Sequence, residues 1–121
     1  MKTALLACAA VLALGGGAHA ARFSAVNGNK LLQICTNPKT TTSCTAYIEG
    51  ISDSISLYQE LRPQDGSKGG ALPAYVCVPS EVTGVRQRDT VVSFLKQHPE
   101  SADRQAAGVV ADALRTAYAC Q

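Results

Sequence analysis

The chain has 121 residues, of which 46% are hydrophobic and 17% charged, and its formal net charge is +2. This length suits one domain with a modest core. The Lys and Arg residues are scattered rather than gathered in a stripe, which argues against nucleic acid as a partner.

The first twenty residues predict a secretory signal peptide. Lys2 supplies a positive start, residues 4–14 are apolar, and Ala18-His19-Ala20 forms a small-residue cleavage site. The apolar stretch is too short to span a bilayer. We therefore expect cleavage after Ala20 and a periplasmic mature protein, residues 21–121, that forms a single helical domain.

Four cysteines remain after the predicted cleavage: Cys35, Cys44, Cys77 and Cys120. An even number in an exported chain predicts two disulfides, which four cysteines can form in three pairings. The alternative is a zinc site, but such sites usually contain close pairs such as C-x2-C, and this sequence has none. No metal or cofactor is therefore predicted.

Two helices are predicted in the first half of the mature chain. The segment "NGNKLLQICTN", residues 27–37, is expected to form the first, and Pro38 prevents its continuation. The second is "SCTAYIEGISDSISLY", residues 43–58, capped by Thr42 or Ser43. Its apolar residues recur at the helical spacing of one buried face: Cys44, Tyr47, Ile48, Ile51, Ile55 and Tyr58.

The segment "LRPQDGSKGGALPAY", residues 61–75, is predicted to be a loop because it is rich in Gly and Pro. A loop of this length is unusual in a small domain and is typically either functional or disordered. The following "AYVCV", residues 74–78, is the best strand candidate in the chain.

Two more helices are predicted after this loop. Ser80 or Thr83 is expected to cap the third, which His98-Pro99 ends. Its shared face is predicted to contain Val82, Val85, Val92 and Leu95. The fourth is predicted over residues 101–118, with Ser101 as its N-cap. The apolar stripe of the fourth helix comprises Ala106, Val109, Val110, Ala113, Leu114 and Ala117.

The predicted fold is an all-α, small disulfide-stapled bundle of about four main helices. The short links at residues 36–42 and 98–100 imply two antiparallel helix hairpins. In that geometry Cys35 and Cys44 meet at one end of the first hairpin, and Cys77 and Cys120 meet at the open end of the second. We therefore predict the disulfides Cys35–Cys44 and Cys77–Cys120.

Signals for catalysis are weak. His98 is the only histidine of the predicted mature chain, and its place beside a proline at a helix end favours a capping or surface role. Glu49 and Asp53 lie four residues apart, which is more typical of a solvated helix face than of a carboxylate pair. The sequence therefore predicts a protein that is not an enzyme.

Gly50 lies within the second helix, where glycine costs about 1 kcal/mol relative to alanine. The usual reason for such a glycine is the close approach of another backbone. Two interpretations remain open: a tight helix crossing inside the domain, or a crossing between two subunits. Tyr47, on the same helix, is grouped with Gly50 as a candidate for helix packing or dimer contact.

Three motifs carry a resemblance to a known family. They are C-x-x-Y-I-x-G-x-x-D at residues 44–53, C-x-P at residues 77–79 and F-L-x-x-H-P-E at residues 94–100. In this order and spacing, the chain resembles the Rap/Tai family of type VI secretion immunity proteins over nearly all of its mature length. One departure is Ala119, since the family pattern has proline before the last cysteine.

The resemblance implies a small, helical, periplasmic protein, often dimeric, that binds a cognate toxic effector and blocks it. The effector is expected to be a peptidoglycan amidase, whose substrate groove the immunity protein occludes without catalytic residues of its own. The alternative is a periplasmic stress chaperone or envelope-interaction protein without a toxin partner.

The motif residues of the family look like scaffold, so specificity is expected where this chain is idiosyncratic. That segment is the Gly/Pro-rich loop, in which the candidate partner-binding residues are Arg62, Gln64, Asp65, Lys68 and Tyr75. Tyrosine is enriched at protein interfaces. The alternative is that the loop is a plain connector.

Overall fold

The computed structural model describes residues 24–61 and 75–121, and four α-helices form this part of the chain. The helices are α1 (Gly28–Thr36), α2 (Thr41–Glu60), α3 (Gly84–Gln97) and α4 (Ala106–Ala117), with a short 3-10 helix at Pro99–Ser101 between α3 and α4. The described residues contain no strand, so residues 75–78 of the strand candidate do not form one, and Ala74 lies outside the described residues. The all-α class and the small four-helix bundle are confirmed.

Two of the helices, α1 and α3, begin where a polar side chain satisfies a backbone N–H group of the first turn. Asn27 Oδ1 accepts a hydrogen bond from Lys30 N at 2.9 Å and caps α1. Thr83 Oγ1, one of the two predicted caps, accepts from Arg86 N at 3.3 Å and caps α3. The predicted caps of α2 are wrong, because the helix begins at Thr41. The hydroxyl of the preceding Thr40 instead donates to Ile34 O at 2.7 Å. This hydrogen bond connects the segment between α1 and α2 to α1.

The fourth helix begins five residues later than predicted, at Ala106, and Ser101 is not its N-cap. The reason is that the preceding backbone forms a 3-10 helix and a turn, and other groups of this segment bond to the start of α1. Gly28 N donates to Arg104 O at 2.9 Å, and Ala106 N donates to Val26 O at 3.0 Å. Ser101 ends the 3-10 helix and is buried. A long-range pairing therefore replaces the first turn that the sequence predicts.

All four helices contribute to one core. Its buried apolar residues are Leu31, Cys35, Cys44, Ile48, Ile55, Val76, Val91, Leu95, Ala106, Val109, Val110, Ala113 and Leu114. The predicted stripes of α2 and α4 thus supply most of the core, but three residues predicted on the buried faces of α2, α3 and α4 are exposed. Tyr58 is 57% exposed, Val85 is 52% exposed and Ala117 is also exposed.

Both predicted disulfides are present. Cys35–Cys44 joins the end of α1 to the start of α2, with a Cα–Cα distance of 5.0 Å. Cys77–Cys120 joins the segment before α3 to the tail after α4, with a Cα–Cα distance of 4.9 Å. Cys77 N also donates to Tyr118 O at 2.8 Å. The two ends of the α3–α4 hairpin are therefore held together by a covalent bond and a hydrogen bond.

Gly50 does not mark a tight helix crossing inside the described part of the domain. Its side of α2 is exposed, and a Cβ added there would meet no atom within 4 Å. This interpretation is corrected because close backbone packing would require neighbouring atoms. The crossing between two subunits stays a prediction. Tyr47, by contrast, is half-buried against the core, and this burial raises the pKa of its hydroxyl.

Candidate partner-binding surface

Most of the predicted partner-binding residues cannot be placed. Arg62, Gln64, Asp65 and Lys68 lie outside the described residues, so their role stays a prediction. Tyr75 is described, is half-buried and packs against the core. The positions that flank this segment therefore define the part of the candidate site that the structure shows.

Gln59, near the end of α2, binds the backbone on the far side of the predicted loop. Its Oε1 accepts from Tyr75 N at 3.1 Å and from Val76 N at 3.2 Å, and its Nε2 donates to Val76 O at 2.9 Å. One amide side chain thus satisfies three backbone groups. This contact also explains why Tyr58 points outward, since the neighbouring Gln59 faces the body of the protein.

Replacing Gln59 with alanine is expected to lower the free energy of unfolding by about 1–3 kcal/mol, because buried backbone groups of Val76 lose their partners. Urea denaturation followed by circular dichroism measures this change. Gln97→Ala is the matched control, since the Gln97 amide is exposed and bonds only to Ser93 Oγ. Equal stability of the two variants would show that the Gln59 contact does not hold the segment in place.

An exposed apolar surface lies at the end of α2. Leu57 is 54% exposed, Tyr58 is 57% exposed and Leu61 is 74% exposed. We refer to these three residues as the α2-end patch. Contiguous exposed apolar side chains commonly mark a surface that contacts another protein. Leu57 and Leu61 were not among the predicted partner-binding residues, although both lie beside the predicted loop in the sequence.

Next to this patch lies a groove of about 520 Å³ between the end of α2, Tyr75 and α4. We refer to it as the α2–α4 groove. It is lined by Tyr58, Tyr75, Arg104, Gly108, Ala111, Asp112 and Arg115. Its volume falls within the range of about 300–1,000 Å³ that is typical of ligand sites.

The charged side of the groove consists of two arginines that share one carboxylate. Arg104 Nη2 donates to Asp112 Oδ2 at 2.7 Å, and Arg115 Nη2 donates to Asp112 Oδ1 at 3.0 Å. Asp112 is the least exposed of the three and anchors both guanidinium groups. The groove therefore carries one net positive charge. The spacing of Asp112 and Arg115 predicts contact on one helix face. Arg104 also lies in the predicted fourth helix, but eight residues of helix span about 12 Å, so that helix does not predict its direct contact with Asp112.

His98 lies elsewhere, at the end of α3. Its ring stacks on Phe94 with centroids 4.2 Å apart, and Nδ1 lies 2.9 Å from Glu100 Oε1. A hydrogen bond from its own backbone N–H, and then the bond with His98, hold the pKa of the Glu100 carboxyl below its ordinary value. These two contacts hold the ring of His98 in place at the end of α3, where the sequence predicts a capping or surface role.

The described residues contain no group of His, Cys, Asp or Glu side chains arranged to hold a metal ion. In the same part of the chain, no helix combines the length and apolar character that crossing a membrane requires.

A small helical bundle with two disulfides is consistent with a secreted or periplasmic domain, because disulfides persist in oxidising compartments. A family model of the Rap1a immunity proteins matches residues 27–120, and the chain belongs to this family. These proteins are inhibitors and not enzymes. The resemblance to the immunity family and the prediction of a non-enzyme are therefore confirmed. No significant match was found among curated proteins or among solved structures.

Proposed function

We propose that this protein is a periplasmic immunity protein that binds a cognate type VI secretion effector, a peptidoglycan amidase, and occludes its substrate groove. The observation that carries the proposal is the family match, which spans residues 27–120. The two disulfides support a location outside the cytosol, because disulfides persist in oxidising compartments. The predicted signal peptide also supports export from the cytosol.

We place the effector contact in the segment from Arg62 to Tyr75, including Gln64, Asp65 and Lys68. Support comes from its flanks. The α2-end patch exposes apolar side chains immediately before this segment, and Gln59 holds Tyr75 close to the same helix end. An effector bound here would cover surface that is otherwise in contact with water.

The test is co-purification of the mature protein with the product of the neighbouring gene, combined with rescue of cells that carry this product in the periplasm. We expect a stable complex and relief of toxicity. Deleting residues 64–70 is expected to weaken the complex while the helical circular dichroism signal is retained. If neither a complex nor rescue is observed, the immunity function is wrong. Suppression of aggregation of unrelated periplasmic proteins would then favour the chaperone alternative.

We also propose that two copies associate through the exposed side of α2. The open space beside Gly50, about two turns before the α2-end patch, would admit a second helix and leave that patch free for the effector. Gly50→Leu is expected to dissociate the dimer without unfolding the monomer, as measured by sedimentation equilibrium. Ala107→Leu, on an exposed position of α4, is the control and should leave the oligomeric state unchanged. A wild-type protein that is monomeric at all accessible concentrations would contradict the proposal.

A further inference from the structure

We propose that the α2–α4 groove binds an acidic segment of the effector, in which a carboxylate side chain lies beside an aromatic or aliphatic one. The inference rests on the proposed immunity function and adds the chemistry of the partner. It concerns the surface formed by the lining residues named above, all of which lie in the described part of the chain.

The two arginines are arranged to receive a carboxylate. The side chain of Arg104 is 51% exposed and that of Arg115 is 58% exposed, whereas that of Asp112 is 27% exposed. A guanidinium group has five N–H donors, and a carboxylate can accept two of them in parallel. Within the described residues, Asp112 accepts one hydrogen bond from Nη2 of each arginine, so the other N–H groups of each guanidinium do not bond to Asp112. Asp112 therefore orients both arginines while a second carboxylate can still bind them.

The opposite side of the groove is aromatic. Tyr58 and Tyr75 form this wall, and Gly108 and Ala111 line the surface of α4 with small side chains. A side chain of the partner could enter there without displacing a large residue of α4. The groove thus combines a basic side and an apolar side, which matches a partner segment that carries both kinds of residue.

The charge distribution favours a foreign acidic segment over a segment of this chain. The described residues carry seven basic and eight acidic side chains, a net charge of −1. The net charge of the groove is therefore opposite in sign to that of the described residues as a whole. The undescribed ranges are basic. Residues 1–23 contain Lys2 and Arg22 and no acid, and residues 62–74 contain Arg62 and Lys68 against Asp65. Like charge disfavours occupation of the groove by these ranges.

The first experiment uses a probe instead of the effector. The mature protein, labelled with ¹⁵N, is titrated with the acetylated tripeptide amide Glu-Tyr-Glu, while the side-chain Nε–Hε signals of arginine are followed by NMR. We expect the signals of Arg104 and Arg115 to shift. The neutral analogue Gln-Tyr-Gln should produce no such shift. No shift with the acidic peptide, or equal shifts with both peptides, would overturn the proposal.

A pair of variants tests the groove itself. Arg104→Glu combined with Arg115→Glu should abolish peptide binding, whereas Arg86→Glu combined with Lys96→Glu on α3 makes the same change in net charge and should preserve it. Thermal melts establish that both variants are folded. If the Arg104→Glu and Arg115→Glu variant does not fold, the milder Arg104→Gln and Arg115→Gln variant replaces it. If peptide binding appears only after deletion of residues 64–70, this segment occupies the groove and the proposal is wrong.

The second experiment uses the effector captured as described above. Reversing both arginines is expected to weaken effector binding at least about tenfold, which corresponds to about 1.4 kcal/mol. The α3 variant should bind as the wild type does. Equal losses in both variants would overturn the groove as the acidic contact. If the wild type binds no effector but the acidic peptide still shifts the arginine signals, the proposed immunity function is wrong. The binding of acidic segments by the groove is then still supported.

Discussion

Replacing both Cys77 and Cys120 with alanine is expected to lower the free energy of unfolding by about 4 kcal/mol. The two residues are 43 positions apart in the sequence, so their bond removes much of the conformational freedom of the unfolded chain. Cys77 is exposed and Cys120 is half-buried, so the substitutions remove little packing. The change measured by urea denaturation therefore reports mainly the loss of the cross-link.

The matched variant replaces Cys35 and Cys44, which are only 9 positions apart. The shorter loop predicts a smaller chain-entropy contribution of about 2.5 kcal/mol. Cys44 is fully buried, so this variant also loses packing in the core. A loss below about 1 kcal/mol for the Cys77 and Cys120 variant would contradict the expectation. It would show that contacts such as Cys77 N to Tyr118 O already hold the hairpin ends together.

Gly28→Ala is expected to lower the free energy of unfolding by about 3 kcal/mol, the upper part of the usual range for overpacking. A Cβ at Gly28 would overlap the backbone carbonyl oxygen of Ser101 and lie 3.1 Å from Leu95 Cδ2. The backbone cannot retreat easily, because Gly28 N donates to Arg104 O at 2.9 Å and Asn29 N donates to Ala102 O at 2.8 Å. The melting temperature should fall by about 10–20 °C for a domain of this size.

Gly108→Ala is the control for this prediction. Gly108 also lies in a helix, but a Cβ there would meet only Arg104 Nη2, at an ordinary contact distance of 3.9 Å. The alanine is expected to raise stability by up to about 1 kcal/mol through its higher helix propensity. Differential scanning calorimetry of both variants separates the two effects. A wild-type melting temperature for Gly28→Ala would contradict the close approach of α1 to the Pro99–Ser101 helix.

The candidate site was only partly predictable. The composition and length of the Gly/Pro-rich segment made it the predicted site, and of the residues chosen there only Tyr75 is described. Gln59 was not predicted, because its contacts with Tyr75 and Val76 connect positions 16 and 17 residues away. The α2–α4 groove was not predicted either, because it forms where Tyr58 and Tyr75 meet the residues of α4. These sites depend on how separate elements meet, which no local pattern reports.

Periodicity, cysteine order and local motifs were sufficient to predict the helical class, the core faces of α2 and α4, both disulfide pairs and the family. Three features instead depend on the folded chain: the late start of α4, the open side of Gly50 and the grouping of the groove residues. They arise because backbone groups and side chains bond to partners that the fold brings close in space. At Arg104 and Ala106 that partner is the start of α1, almost eighty residues earlier in the chain.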